Sequence, residues 1–449
     1  MVWIFVIAIG VVVGWRTLSM ENGKTASDFV VDVKDYGAVG DGVSDDTKAF
    51  QTAIDDVKKH GGGTVFVPSG TYSLQPVFLK NHVHLRGEDR DKSILKLADD
   101  APDDYTRLLT TANNTSIQSL TFDGNYQKHP NGIEHMHCIF VFDHKNVLIN
   151  NNKIMNAVGD GISVSGTSKT SKNITITNNI VEENQRSQIV IEQVNQLQVN
   201  NNVLRSKTAR PALHFEPWEK QQYENAQISS NTIESNVEGY CVLLSGADSE
   251  LAGEGELGYF FNDIEFKQNK VDCPLGALLV MDTKNAKLID NELKVSEIHV
   301  WRKNQQVNIV RNTINSVNGI RLEGGKDGEL ISNGTNISHN IIIASNDGVN
   351  IHAGASNTNI ISNHFTGSKQ ATGVALFASD HITNTIISKN TFQHYRWGVL
   401  LDYDNYSDSE IQGVIISGNR FDSINKAIEQ TVRNSNRLKD LVISKNHYY

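Results

Sequence analysis

From about residue 140 onward one pattern recurs: two or three alternating apolar residues, then a polar residue, Asn, any residue and an apolar one. Leu148-Ile149-Asn150-Asn151-Asn152-Lys153-Ile154 is one copy, and the Asn returns at 179, 202, 231, 269, 291, 312, 340, 363, 390, 419 and 446. Alternation with period two predicts strands, because successive strand side chains point to opposite faces. The Asn predicts a tight bend between two strands, since its short polar side chain tolerates left-handed backbone. Further strands begin after Gly between the Asn turns, as in Gly161-Ile162-Ser163-Val164, Gly319-Ile320-Arg321-Leu322 and Gly398-Val399-Leu400-Leu401. Each repeat thus predicts about three short strands separated by turns. Twelve copies at spacings of 21 to 38 residues predict an all-β fold, a stacked parallel β-solenoid. Its coils lie about 4.8 Å apart and share backbone hydrogen bonds.

The N-terminal part reads differently. Ser44 and Asp45 are placed to cap a helix whose apolar face is Phe50, Ile54 and Val57. Gly61-Gly62-Gly63 ends it and Thr64-Val65-Phe66-Val67 begins a strand. The triple Gly follows a helix and has no Lys-Ser/Thr after it, so it reads as a helix end and not a phosphate loop. A helix over the open end of a solenoid would cover exposed strand edges. Before it, Val2 to Trp15 form one apolar run. That run is short for a membrane span and suits the core of a signal peptide or anchor over residues 1–26, predicting export or attachment to the cell envelope.

Length alone, 449 residues, suggests two to four domains. The repeat reduces this to one solenoid over residues 31–449, with 31–72 as its cap. Apolar residues at 39% suffice for a core, and 41 basic against 51 acidic residues give −10, which argues against general nucleic-acid binding. Cys138, Cys241 and Cys273 form no CxxC pair. An odd count leaves no complete disulfide framework, and the reading is three buried thiols.

Aligning the strands that follow the Gly positions gives two outward columns. One reads Ser165, Glu192, Glu216, Ser245, Met281, Trp301, Glu323, His352, Phe377, Asp402; the other Ser163, Val190, His214, Leu243, Leu279, His299, Arg321, Asn350, Ala375, Leu400. A slip of one residue would turn both columns inward. The densest polar cluster is Asp160, Arg186, Gln188, Glu192, His214 and Glu216. Glu192 and Glu216 occupy equivalent places on adjacent coils, about 5 Å apart. Two carboxylates that close do not both ionise easily, so one stays protonated. An acid beside a carboxylate is the pair that glycoside hydrolysis uses. Asp160 with Glu216 offers a wider pair, and His214 a base or an orienting group.

A second cluster comprises Arg302, Arg321, Glu323, Asp347 and His352. Arg321 and Glu323 share a strand and can simply pair; alternatively the arginines clamp a substrate carboxylate or sulfate. Aromatic residues flank the same face: Trp218 and Tyr223 after the Glu216 strand, Tyr259 to Phe261 at the end of an insertion, and Trp301 in the column. Sugar rings pack CH faces on such planes.

Asp35-Tyr36-Gly37-Ala38-Val39-Gly40-Asp41-Gly42-Val43-Ser44-Asp45-Asp46-Thr47 and Gly61-Gly62-Gly63-Thr64-Val65-Phe66-Val67-Pro68-Ser69-Gly70-Thr71-Tyr72 resemble the N-terminal signature of the pectate-lyase-like superfamily. The branch is that of rhamnogalacturonases, polygalacturonases, phage tailspikes and mannuronan epimerases. The resemblance implies a single-stranded right-handed β-helix acting on an extracellular glycan, as a monomer or homotrimer. Of the polygalacturonase motifs only Asp160, in Gly159-Asp160-Gly161-Ile162, has a counterpart, and the epimerase run Asp-Pro-His-Glu is absent. By the same resemblance Arg186 is the nearest match to a lyase base. No cofactor is assigned, since no loop of fixed spacing marks a Ca²⁺ site.

The expected activity is therefore a glycoside hydrolase with Asp160, Arg186, Glu192, His214 and Glu216 as catalytic residues. Gln188, Trp218, Tyr223, Trp301, Arg321, Glu323 and His352 would hold the polysaccharide. A lyase or epimerase and a non-catalytic glycan-binding solenoid are the alternatives.

Overall fold

The computed structural model describes residues 29–167, 169–218, 223–246, 261–324, 332–378, 381–403, 410–431 and 437–449. The apolar run Val2 to Trp15, with Tyr259 and Phe260, lies outside them. Three parallel sheets of 19, 16 and 14 strands run the length of the chain. One coil shows the plan: Ile189–Ile191 in the smallest sheet, Val194–Asn200 in the largest, Val203–Ser206 in the third. Strands inside the stack pair with their equivalents one coil before and after, as Ile189 does with Ile162 and Leu213. The core is the column of inward residues between the sheets, among them Ile162, Ile189, Leu213, Ile176, Val199 and Leu204, all fully buried.

The Asn residues of the repeat do not adopt left-handed backbone. That conformation falls on the residue before each: Asn151, Asn178, Asn201, Ser230, Gln268, Asp290, Arg311, His339, Ser362, Lys389 and Lys445 have φ between 55° and 58°, and Gly418 has φ 65°. The repeated Asn follows and turns inward. Asn202 donates its backbone N–H (2.9 Å) and Nδ2 (3.0 Å) to Oδ1 of Asn231, and Nδ2 also donates to the Ile176 carbonyl (2.9 Å). The same bonds repeat from Asn152 to Asn419, with Asn446 as the last acceptor. The ladder satisfies backbone groups that the corner would otherwise leave buried and unpaired. Asn is selected for its amide and not for its φ.

The helix Thr47–Lys59 buries Phe50, Ile54 and Val57 as expected and packs beside the first strands of the solenoid. Asp46 stands at the N-cap position without a side-chain cap bond, and Asp45 accepts the Thr47 N–H at 3.0 Å, as expected of a capping residue; Ser44 does not take part. Asp46 is buried and spends its carboxylate on the Val39 and Gly40 N–H groups, tying the loop before the helix. The Gly61 and Gly62 N–H groups close onto Lys58 and Val57 carbonyls, so the triple Gly ends the helix. Cys241 and Cys273 form a disulfide, correcting the reading of three thiols, and Cys138 alone is free and buried. The pair spans adjacent coils at a register shift between Tyr240 and Val242.

Candidate functional site

Both outward columns can be checked strand by strand. Ser163, Val190, His214, Leu243, Leu279, His299, Arg321, Asn350, Ala375 and Leu400 are paired in that order. In the other column Ser245, Met281, Trp301 and Glu323 are paired in that order, and the line then slips, because Glu323 pairs with Ala353 across an irregularity and leaves His352 off it.

At the N-terminal end of this face lies a cleft of about 470 Å³, whose lining includes Arg186, Glu192, Glu216 and Trp218. Glu192 and Glu216 each follow a paired residue, Ile191 and Phe215, on adjacent coils. Their side chains have different partners. Glu192 accepts from the Ser165 hydroxyl and from Trp218 Nε1 at 2.7 Å. Burial pushes its carboxyl above the usual range; the two donors oppose the rise and the Glu216 charge adds to it. Glu216 lies 3.2 Å from Arg186 Nη2 and 3.7 Å from His214 Nδ1. Arg186 also pairs with Asp160 (3.2 Å) and Glu134 (3.1 Å). It holds these acids together at the base of the cleft.

Four of the expected residues sit elsewhere than a substrate could reach. Asp160 is 0% exposed, beneath Arg186, and accepts from the Ser187 N–H at 2.9 Å. Burial pushes its carboxyl up to about 7 against the pull of Arg186. Asp160 is therefore closed to solvent and holds Arg186 from beneath. Gln188 is fully buried and accepts from Asn184 Nδ2 at 2.8 Å. His214 is buried beside Ser187, and burial with Arg186 holds its imidazole down to about 3, hence neutral. Tyr223 begins an inner strand, 0% exposed, with its ring near Phe261. It belongs to the core because it is the first residue of the strand Tyr223–Ser229 and points inward.

Trp301, Arg321, Glu323 and His352 lie on the same face but not in the cleft. His299, in line with His214 three coils on, is about 14 Å away along the axis. There Glu323 gathers Arg321 (2.7 Å), His299 (3.2 Å) and His352 (4.0 Å), and Trp301 stacks on His299. Arg302 is buried and paired with Asp282 at 3.1 Å, so it is no surface clamp.

The cleft also holds residues that the repeat did not flag. Tyr105, Arg107, Glu134, His135 and His137 come from loops between residues 98 and 138, which cover one side of it. His129 ties these loops together, with Nδ1 2.7 Å from Asp103 and Nε2 3.1 Å from the Ala98 carbonyl. Tyr105 stacks on His135, and His137 on Phe140. The loops lack strand periodicity. Their only sequence signal is the run Glu134-His135-Met136-His137. Among the described residues no three His, Cys, Asp or Glu group as metal ligands.

Residues 30–109 match the family described as Rhamnogalacturonase A/epimerase, pectate lyase-like, and residues 105–210 match the right handed beta helix region. The chain is a right-handed β-helix with a pectate-lyase-like match at its N-terminal end. Mannuronan C5-epimerase AlgE2 of Azotobacter vinelandii is 41% identical over 106 residues, 21% of this β-helix and 11% of that protein. The match thus spans about a tenth of the curated relative's length. The solved structure of PfbA, a surface adhesin of Streptococcus pneumoniae, shares the fold with TM-score 0.54 and 18% identity, covering 91% of this β-helix and 96% of that chain. The catalytic unit of an α-1,3-glucanase from Streptomyces thermodiastaticus gives TM-score 0.52 at 16% identity, covering 86% and 70%. Polysaccharide-modifying enzymes thus recur among the relatives, alongside an adhesin.

Proposed function

We propose that this β-helix is an exported glycoside hydrolase that cleaves an extracellular polysaccharide in the cleft of Glu192 and Glu216. The observation that carries the reading is the environment of the two carboxylates. Adjacent coils set them side by side, burial favours the protonated form of Glu192, and Arg186 neutralises Glu216. One proton donor beside one carboxylate is the equipment for glycosidic cleavage. Of the two routes, we propose the retaining one, in which both carboxylates act on the sugar itself. Glu216 attacks the anomeric carbon while the glycosidic C–O bond breaks, and Glu192 gives its proton to the departing oxygen. Glu192 then takes a proton from water, whose oxygen displaces Glu216 from the sugar. Trp218, 42% exposed beside Glu192, offers a plane for a sugar ring. Trp301, Arg321, Glu323 and His352 would extend the groove along the same face. The Cys241–Cys273 disulfide supports an oxidising compartment, in keeping with export.

Incubation with a panel of plant, algal and bacterial glycans tests this. New reducing ends with retained anomeric configuration are expected, and Glu192→Gln or Glu216→Gln should each reduce turnover about 100-fold or more. Full activity in both variants would remove the assignment. Unsaturated uronate ends would mean β-elimination, and binding without products an adhesin.

A further inference from the structure

The cleft holds two arginines that differ in their charge partners. Arg186 is ion-paired with Glu134, Asp160 and Glu216, although its buried Nε, like that of Arg107, makes no hydrogen bond. Arg107 has no carboxylate within ion-pairing distance among the described residues. Its Nη1 donates to the Tyr105 carbonyl at 2.6 Å, and its buried Nε has no hydrogen-bond partner. The guanidinium lies over the Phe140 ring at 4.6 Å and near the Tyr105 ring at 5.2 Å. Aromatic faces hold a guanidinium plane while leaving its edge to meet an anion. A buried N–H donor without an acceptor is costly, and a charged acceptor is the strongest partner it can gain. We infer that Arg107 receives an anionic group of the glycan, a carboxylate or a sulfate ester, and that the cleft selects an acidic polysaccharide.

The register places this group. Phe140, Ser163 and Val190 lie on successive coils, and Glu192 directly follows the strand of Val190. The guanidinium at the Phe140 level is therefore about two coils, roughly 10 Å, from the level of Glu192 and about three, roughly 14 Å, from that of Glu216. Either distance puts the anion on a neighbouring sugar, not on the one being cleaved. The inference rests on the glycan-binding reading of the cleft but not on hydrolysis.

Binding is best measured on the full chain carrying Glu192→Gln and Glu216→Gln, so that no probe is consumed. The probes are polygalacturonate, alginate, the carboxyl-reduced form of each, a sulfated galactan, its desulfated form and an uncharged α-1,3-glucan. One acidic polymer should bind, and removing its carboxylates or sulfates should weaken it about tenfold or more. Which removal acts identifies the anion. Arg107→Gln should cause the same loss and make affinity indifferent to the removal, while Arg107→Lys, which keeps charge without the fork, should fall between. Melting curves confirm that both variants fold; if Arg107→Gln does not, the charge-stripped polymers decide on the parent chain. Equal binding of the uncharged glucan, no binding of any acidic probe, or unchanged affinity in folded Arg107→Gln overturns the inference. Acidic binding together with unsaturated products from the unmutated chain would discard hydrolysis and leave Arg107 in place.

Discussion

A single indole N–H shows how closely the cleft is tuned. Trp218 Nε1 donates to Glu192 and favours its ionised form, against burial and the Glu216 charge. In the proposed reaction Glu192 must be protonated, so activity falls as pH rises through its titration. Trp218→Phe keeps an aromatic plane and removes the donor. The carboxyl then titrates higher, and the alkaline limb of the kcat/KM profile should move to higher pH. An unmoved limb would mean that Glu192 is not the acid. The polar identity of Glu192, Glu216, Arg186 and Trp218 was legible in the sequence, because the columns could be aligned by their Gly and apolar positions. Arg107, His135 and His137 were not, because they lie on loops with no period to align.

Among the elements, the corner between the two larger sheets carries the clearest structural device. Asn291 Nδ2 reaches the Phe266 carbonyl at 2.9 Å, and its Oδ1 accepts from the Asn269 backbone and side chain. Asn291→Ala leaves several of these buried groups without partners. Unfolding in denaturant should show a loss of about 3 kcal/mol; a loss below about 0.5 kcal/mol would mean that the ladder is dispensable, the range of a neutral surface change. The sequence showed that a turn recurs at these positions but not what the Asn does there. The left-handed residue precedes it and varies freely: Ser230, Arg311 and Lys389 serve as well as Asn201. Periodicity marks where a corner lies, and only coordinates separate the residue that bends the chain from the residue that satisfies it.

Over the whole molecule, stability is distributed along a stack in which each coil leans on its neighbours. Strands in the middle, such as Ile189–Ile191, have a partner on both sides. In residues 437–449 each strand has one partner, and Val442 and Ile443 are exposed. Amide hydrogen exchange should therefore be slowest around residues 162–215 and fastest in residues 437–449. Uniform protection along the stack would indicate that the chain unfolds as one unit with no fraying coil.

The sequence by itself determined the solenoid, its coil boundaries, the N-terminal cap and the line of Glu192 and Glu216. These follow from alternation, repeat length and turn residues, all local in the chain. The tertiary structure decided which outward residues stay accessible. Asp160, Gln188 and His214 are buried beneath neighbouring side chains and Tyr223 lies in the core, because burial depends on contacts between segments that the repeat pattern does not encode. It also decided the Cys241–Cys273 pair, created by the register of two coils 32 residues apart. And it brought Arg107 into the same cleft as the carboxylates, a meeting of distant segments that no periodicity encodes.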